Sequence, residues 1–191
     1  MHVSLMVDVA ERRWTAEEVR ALPEDPRHRY EVVDGVLIVS ASPNALHQAA
    51  VGDLFLALHS YARPARLGAV MTSPADIELD VATLLQPDLF VTALFDGRRP
   101  RRWSEVQLRL AIEVLSPSTA RYDRGRKRHK YVAQEIELWL VDLDARVIEC
   151  WRPGETAPEI CDERLEWRPS GAVAPFVLDV PAFFTEVLGE P

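Results

Sequence analysis

The order of elements along the chain predicts an α/β protein, with a central mixed β-sheet flanked by helices and extra β-hairpins. Three stretches carry that prediction. LRLAIEVL at 108–115 is a nearly unbroken apolar run of strand length, the pattern of a central strand buried on both faces. Between Asn44 and Tyr61 the residues Leu46, Ala50, Leu54, Leu58 and Tyr61 recur at helical spacing between Pro43 and Pro64, which predicts a long helix with one face on a core. YEVVDGVLIVS reads as two strands about an Asp34-Gly35 turn, the strongest short-range hairpin signal.

The remaining elements follow in order. Thr15 and Glu18 have capping-box spacing and predict a short helix to about Leu22, before Pro23. After the long helix come two short strands, around 69–72 and 75–79, and a further strand, PDLFV, at 87–91. The segment 93–107 reads as loop, or loop with one helical turn. Beyond the apolar run, SPSTARYDRGRKRHKYVAQ predicts a turn and then a helix from about Asp123 to Gln134. IELWLVD and RVIECWR form a second hairpin across 142–145, and the last thirty residues add a strand near 174–178 and a helical turn around 183–188. Neither GxGxxG nor GxxxxGK[ST] is present, and the order is not the βαβ alternation of a nucleotide-binding fold.

With 191 residues and neither internal repeat nor low-complexity linker, the chain reads as one domain: a lead-in over 1–28, a core over about 29–152 and an extension over 153–191. A core of that size needs no structural metal or disulfide. The two cysteines, Cys150 and Cys161, suit neither a zinc ribbon nor a redox CxxC and read as reduced and partly buried. No stretch approaches the roughly 20 apolar residues of a membrane span, and the N-terminus has no basic start followed by an apolar run. The expectation is a cytoplasmic protein with no membrane partner. The net charge of −8 argues against a polyanionic partner, but its distribution does not. Residues 98–131 hold eleven basic and three acidic side chains, so that window is +8 and the remainder −16. A phosphate-attracting surface on an acidic protein is one reading; a solvated RRPRR loop at 98–102 is the other.

Glu113 carries the most chemical information, because a lone carboxylate inside a buried strand costs several kcal/mol unless paired or bound to metal. Its alternatives are an ion pair, with Arg109 or an arginine of the next helix, and a functional role. Asp88 stands at the start of one strand and Glu113 near the end of the next, so antiparallel neighbours would bring the two together. Converging carboxylates offer hard oxygen ligands, which suit Mg²⁺ or Mn²⁺. In the following helix Asp123, Lys127, Tyr131 and Gln134 share one polar face, with Lys130 at its margin. Lys127 and Lys130 are the chain's only lysines against twenty arginines, and the pair within one turn suggests a need for a compact amine. Glu31 could add a carboxylate or simply be salt-bridged in its hairpin. His47 could face substrate or sit hydrogen-bonded at the helix boundary. Ser116 and Ser118 have no histidine–acid arrangement to make them nucleophiles and read as shaping the turn and capping the helix.

These residues form a pattern. WTxEE (Trp14 to Glu18), YExxDG (Tyr30 to Gly35), PxxxHQ (Pro43 to Gln48), PDxxV (Pro87 to Val91), EVLSPST (Glu113 to Thr119), DxxxKxxxY (Asp123 to Tyr131) and WxVD (Trp139 to Asp142) occur in that order. The chain thereby resembles the Uma-type restriction endonucleases of bacteria, a branch of the PD-(D/E)XK nuclease superfamily, over roughly residues 14–152. The resemblance implies a restriction-endonuclease-like core in which Asp88, Glu113 and the Val114 carbonyl hold Mg²⁺ or Mn²⁺. The superfamily lysine should follow Glu113-Val114, where this chain has Leu115. The resemblance assigns its role to the next helix, with Lys127 fitting better than Lys130. Asp88, Glu113 and Lys127 are then the expected catalytic set, with Glu31, His47, Asp123, Lys130 and Tyr131 in support. Arg98, Arg99, Arg101, Arg102, Arg124, Arg126 and Arg128 would hold the backbone of DNA. The implied activity is metal-dependent hydrolysis of DNA phosphodiester bonds, and cutting both strands favours a homodimer. A catalytically inactive protein keeping this fold as a binding or assembly module is the alternative.

Overall fold

The Thr15 side chain accepts from the Glu18 N–H, and Glu18 accepts from the Thr15 N–H, so the expected capping box starts α1 (Ala16–Arg20). The computed structural model of the chain describes residues 12–94 and 96–189; the first eleven residues of the expected lead-in lie outside these. β1 (His28–Val33) and β2 (Val36–Ala41) pair antiparallel across Asp34 and Gly35. Both turn residues have positive φ, 51° and 77°, the conformation that a tight two-residue hairpin needs and that an Asp-Gly pair accepts.

In α2 (Ala45–Ala62) the buried stripe is His47, Ala50, Val51, Leu54, Leu58 and Ala62. The expected stripe is corrected at its ends. An i+4 series drifts about 40° around the helix at each step, so Leu46 turns outward, Tyr61 is half-buried and His47 takes the inward place.

A six-stranded sheet runs in the order β10 (Glu159–Cys161), β9 (Val147–Trp151), β8 (Glu137–Asp142), β7 (Leu108–Val114), β6 (Leu89–Thr92), β3 (Ala69–Thr72). β7 and β8 are parallel, joined by a helical crossover, and every other pair in this sheet is antiparallel, so the sheet is mixed. The two short strands expected after α2, β3 and β4 (Ile77–Asp80), fall in different sheets. β4 pairs with β5 (Thr83–Leu85) in a four-stranded sheet ordered β2, β1, β5, β4. β5 was not expected, because three residues are too few to show a period of two.

The pleat of β7 decides which side chains meet. Leu110, Ile112 and Val114 face the core beneath α2, whereas Ala111 lies with Val33, Ile38, Leu85 and Tyr131 on the opposite face. Glu113, two residues from Ala111, therefore points to that second face, toward the four-stranded sheet and the crossover helix. On β8 the alternation repeats, with Trp139 and Val141 on the α2 side and Leu138 and Leu140 on the other.

The C-terminal region is more than the expected strand and helical turn. β10, β11 (Arg164–Trp167), β12 (Phe176–Asp179) and α5 (Val180–Leu188) complete the core on the α2 side. Trp139 meets Trp167 edge-on and stacks with Phe176, both at 6.1 Å between centroids, the offset and T-shaped geometries aromatic quadrupoles favour. Asp179 caps α5 with Pro181 in its first turn, and Gly189 ends it at positive φ. Cys150 and Cys161 are buried free thiols 3.7 Å apart. Among the described residues no helix is long and apolar enough to cross a membrane.

Gly68, entering β3, lies against the end of β6: a Cβ there would meet Thr92 O at 2.7 Å and Val91 Cγ1 at 2.8 Å. Backbone cannot yield as a flexible side chain can, so Gly68→Ala is expected to lower stability by about 1–3 kcal/mol in urea unfolding. An unchanged midpoint would show that the β3 edge tolerates a shift.

Candidate active site

Antiparallel pairing of β6 with β7 aligns Leu89 with Ile112, which sets Asp88, in the bend just before β6, beside the end of β7. The Val114 N–H donates to Asp88 Oδ2 at 3.0 Å and so latches the bend to β7. Arg29 donates to Oδ1 at 2.7 Å, and His47 Nε2 lies 3.0 Å from Oδ2. Burial acts to raise the Asp88 pKa, but the His47 hydrogen bond and charge, then Arg29, outweigh it and hold the carboxyl below its ordinary value.

Glu113 belongs to a second group, around Lys127. Lys127 Nζ is 2.7 Å from Glu31 Oε2, 3.4 Å from Glu113 Oε1 and 3.1 Å from Asp123 Oδ1. The last contact lacks hydrogen-bond geometry, since Asp123 Oδ1 is without a hydrogen-bond partner. Tyr131 donates its hydroxyl to Glu113 Oε1 at 3.0 Å, and the Gln86 N–H donates to Glu31 Oε1 at 2.8 Å. All of these acidic groups, Lys127 and Tyr131 are buried. Arg109, the alternative partner for Glu113, instead donates to Leu67 O.

The crossover helix reaches the site because it is not a plain α-helix. It begins as α3 (Ala120–Tyr122), widens to a π-helical turn over Asp123–Lys127 and continues as α4 (Arg128–Ala133). In an uninterrupted α-helix the steps from Asp123 to Lys127 to Tyr131 would each drift about 40° to the same side. The wider turn offsets part of that drift, and all three side chains are buried on one face. The helix starts three residues before the expected Asp123, and no side chain caps it; Ser116 Oγ instead bonds Ser118 Oγ and Thr119 Oγ1 and shapes the turn.

Burial pushes the Glu113 pKa well above its ordinary value; Lys127 opposes this, and the charges of Asp123, Asp88 and Glu31 add to it. Glu31 is raised by burial against the same ammonium. Burial acts to lower the Lys127 pKa, but Glu113, Glu31 and Asp123 raise it well above the usual lysine value. Tyr131 is raised well above its ordinary value by burial, then by the charges of Glu113 and Glu31.

Four buried carboxyl groups thus face one ammonium, the Arg29 guanidinium and the His47 imidazole. An additional dication would suit this acidic, all-oxygen donor set. Among the described residues, however, no three His, Cys, Asp or Glu side chains are already arranged to hold a metal ion. The site opens into a cleft of about 560 Å³, walled by the end of β2, the 116–120 turn and the β8–β9 turn.

Of the side chains expected from sequence, Asp88, Glu113, Lys127, Glu31, His47, Asp123 and Tyr131 come together here. Lys130 does not: it pairs with Asp34 and Asp80, clipping the β1–β2 and β4–β5 turns to α4. Arg124 lines the cleft but is bound by Asp142 at 2.6 Å and Glu149 at 2.7 Å. Arg128 lies over the Trp151 ring, and neither it nor Arg126 lines the cleft. Arg98, Arg99, Arg101 and Arg102 are at the opposite end of the sheet, because a β6–β7 loop lies at the end away from Asp88 and Glu113. Sequence reading missed Arg29 and Gln86. Arg29 was within reach, since it is two residues from Glu31 and a strand sends both to one face; Gln86 acts through its backbone N–H, for which side-chain chemistry gives no signal.

Comparison with known proteins agrees with this architecture. A family model described as "Uma2: Putative restriction endonuclease" matches residues 16–181. The fold is similar to the crystal structure of a putative nuclease belonging to DUF820 from Anabaena variabilis, with a TM-score of 0.73 and 22% identity over 91% of this chain and 99% of that one. No curated protein matches.

Removing the shared cation tests the electrostatic account. Lys127→Met is expected to cost about 3–5 kcal/mol of stability near pH 8, read by urea unfolding in chelator. Glu31 and Glu113 have folded pKa values above their ordinary ones. Their contribution to stability is therefore complete below the ordinary carboxylate pKa and is lost as pH rises through the raised values. Without Lys127 both values rise further, so the gap between variant and parent should narrow as pH falls toward about 5. A gap that does not vary with pH would contradict the account.

Proposed function

The chain belongs to the Uma2 family, described as putative restriction endonucleases, and from that premise we propose that it hydrolyses DNA phosphodiester bonds with Mg²⁺ or Mn²⁺ at the cleft between Asp88 and Lys127. The observation that carries this is the buried Lys127 ammonium lying 3.4 Å from Glu113 on the cleft wall. An amine supplied by the crossover helix thereby stands beside the strand carboxylate that Leu115, not a lysine, follows two residues on.

Asp88, Glu113 and the Val114 carbonyl would hold the ion, whose chemistry is to polarise the phosphate and lower the pKa of a bound water. Lys127 stays protonated across the neutral range, since its pKa is raised. It therefore acts as a fixed positive charge toward charge developing on the phosphate, not as a base. Of the two carboxylates beside Lys127, Glu31, raised by burial and not among the ligands named for the ion, is the one able to accept a proton released in the attack. Tyr131 and Gln86 hold those carboxylates in place through the bonds already described. Arg29 and His47 orient Asp88 from the other side. Cutting both strands of a duplex calls for two such sites, so a homodimer belongs to the same proposal.

One observation favours the alternative of an inactive binding or assembly module: both Asp88 oxygens are already engaged by Arg29, His47 and the Val114 N–H. Calorimetric titration with Mn²⁺ separates the two, because a folded protein that takes up no Mn²⁺ would favour the module.

On plasmid DNA with Mn²⁺ or Mg²⁺, the parent is expected to show cleavage that chelator stops and Asp88→Ala lacks. Lys127→Met should lower the rate by roughly 100-fold or more, whereas Lys130→Met, altering an amine outside the cleft, should retain it. Equal cleavage by parent and Asp88→Ala, or cleavage that survives chelator, would defeat the assignment.

A further inference from the structure

The basic loop after β6 does not reach the catalytic cleft, yet it is not simply solvated. With the C-terminal end of α2 and the start of β3 it encloses a second cleft, of about 340 Å³, lined by Arg63, Arg66, Arg98, Arg99 and His59. Among the described residues no carboxylate lines it, on a chain whose net charge is −8. The cleft is also built. Arg66 has a left-handed backbone, φ 53°, and donates to Gly97 O at 2.8 Å, which ties the loop to the helix end. Gly97 itself has φ 69°, and a Cβ there would meet the Arg66 guanidinium at 2.7 Å.

This cleft and a groove that reaches Asp88 both lie between α2 and β3. The groove is lined by His47, Asp88, Gly52, Phe55, Thr72 and Ser73, and the basic cleft, which shares none of these residues, lies further along the same two elements. Along α2 the positions Phe55, His59 and Arg63 follow at four-residue steps, with the Phe55 and His59 rings 5.3 Å apart. From Gly52 to Arg63 is about 16 Å at the helical rise per residue. Duplex DNA carries a phosphate charge about every 1.7 Å of its axis, so about five base pairs would span that distance.

We propose that the α2–β3 edge is a DNA-backbone track, with Arg63, Arg66, Arg98 and Arg99 as a phosphate-binding anchor remote from the reacting atoms. The identity of the polyanion rests on the nuclease reading above. The anchor holds the duplex while the cleft at Asp88 acts on it, so it governs affinity for long DNA and leaves the chemistry of a small diester untouched.

The test is duplex binding by fluorescence anisotropy in chelator, where no turnover is required, at several salt concentrations. Arg63→Ala with Arg99→Ala removes two cations without touching the Arg66 tie. Loss of two phosphate contacts is expected to weaken binding by roughly ten- to a hundredfold near 0.1 M salt and to reduce the slope of log affinity against log salt by about two. Arg63→Lys with Arg99→Lys should keep the parental slope, and both variants should keep the parental melting temperature. An unchanged affinity and slope in the alanine variant, or a parent that binds no duplex, would overturn the proposal. Hydrolysis of bis(p-nitrophenyl) phosphate with Mn²⁺ reads the catalytic cleft separately. Equal rates in parent and alanine variant with weakened duplex binding support the anchor, whereas an equal fall in small-diester hydrolysis overturns its separation from the chemistry. Absence of hydrolysis in both proteins counts against the nuclease reading and leaves the binding result to decide the anchor.

Discussion

A single ammonium, that of Lys127, holds together parts of the molecule that are distant in sequence. Its partners come from β1, β7 and the π-helical turn, so one cation ties the four-stranded sheet, the six-stranded sheet and the crossover helix at one point. An isolated buried lysine would lose its proton to escape desolvation. Three acidic neighbours reverse that tendency and keep the charge in place. The converse also holds: the ammonium, in contact with both Glu31 and Glu113, offsets their mutual repulsion below the surface. The site and the joint between the sheets are therefore the same object, and a change to one disturbs the other.

The pleat and the hairpin supply the rest of the arrangement. Alternation along β7 gives the α2 face its apolar residues and leaves Glu113 among the acidic groups on the opposite face. The β6–β7 hairpin then separates two kinds of charge by the length of its strands. Its open end collects Asp88 and Glu113, and its closed end carries the arginines of the 98–102 loop. A protein with a net charge of −8 can in this way keep its buried carboxylates and the arginines of that loop from neutralising each other.

Rigidity at the acidic end is bought by packing on the other face. Trp139, Trp167, Phe176, Phe183 and Phe184 fill the space beneath α2 and α5, so β8 and β7 are clamped from behind. The π-helical turn is the one departure from regular geometry in the crossover, and it lies where Asp123 and Lys127 enter the site. Such turns recur at functional sites because widening the helix re-aims side chains at little cost in backbone bonding.

Much of this was legible in the residues alone. Local rules with strong physical causes showed the Thr15 capping box, the Asp34-Gly35 hairpin, the long α2 and the buried β7. The cost of burying a carboxylate singled out Glu113, and the scarcity of lysine singled out the pair Lys127 and Lys130, one of which enters the site. What local rules could not show, beyond the two hairpins, was which strands become neighbours. The parting of β3 from β4, the pairing of β5 with β1 and the C-terminal strands that close the core all depend on non-local pairing, for which short strands carry almost no periodic signal. The same limit applied to charge. By sequence Lys130 was the less favoured rival of Lys127 for the site, and the 98–102 arginines were candidates to hold the backbone of DNA beside it, since spacing along a chain gives no direction in space. Tertiary structure sent Lys130 to Asp34 and Asp80 and the arginine loop to the far end of a hairpin, while the π-helical turn carried Lys127 inward. The chain by itself determined which chemical groups were available and which had to be paired if buried; only the packing of two sheets around one helix decided which of them meet.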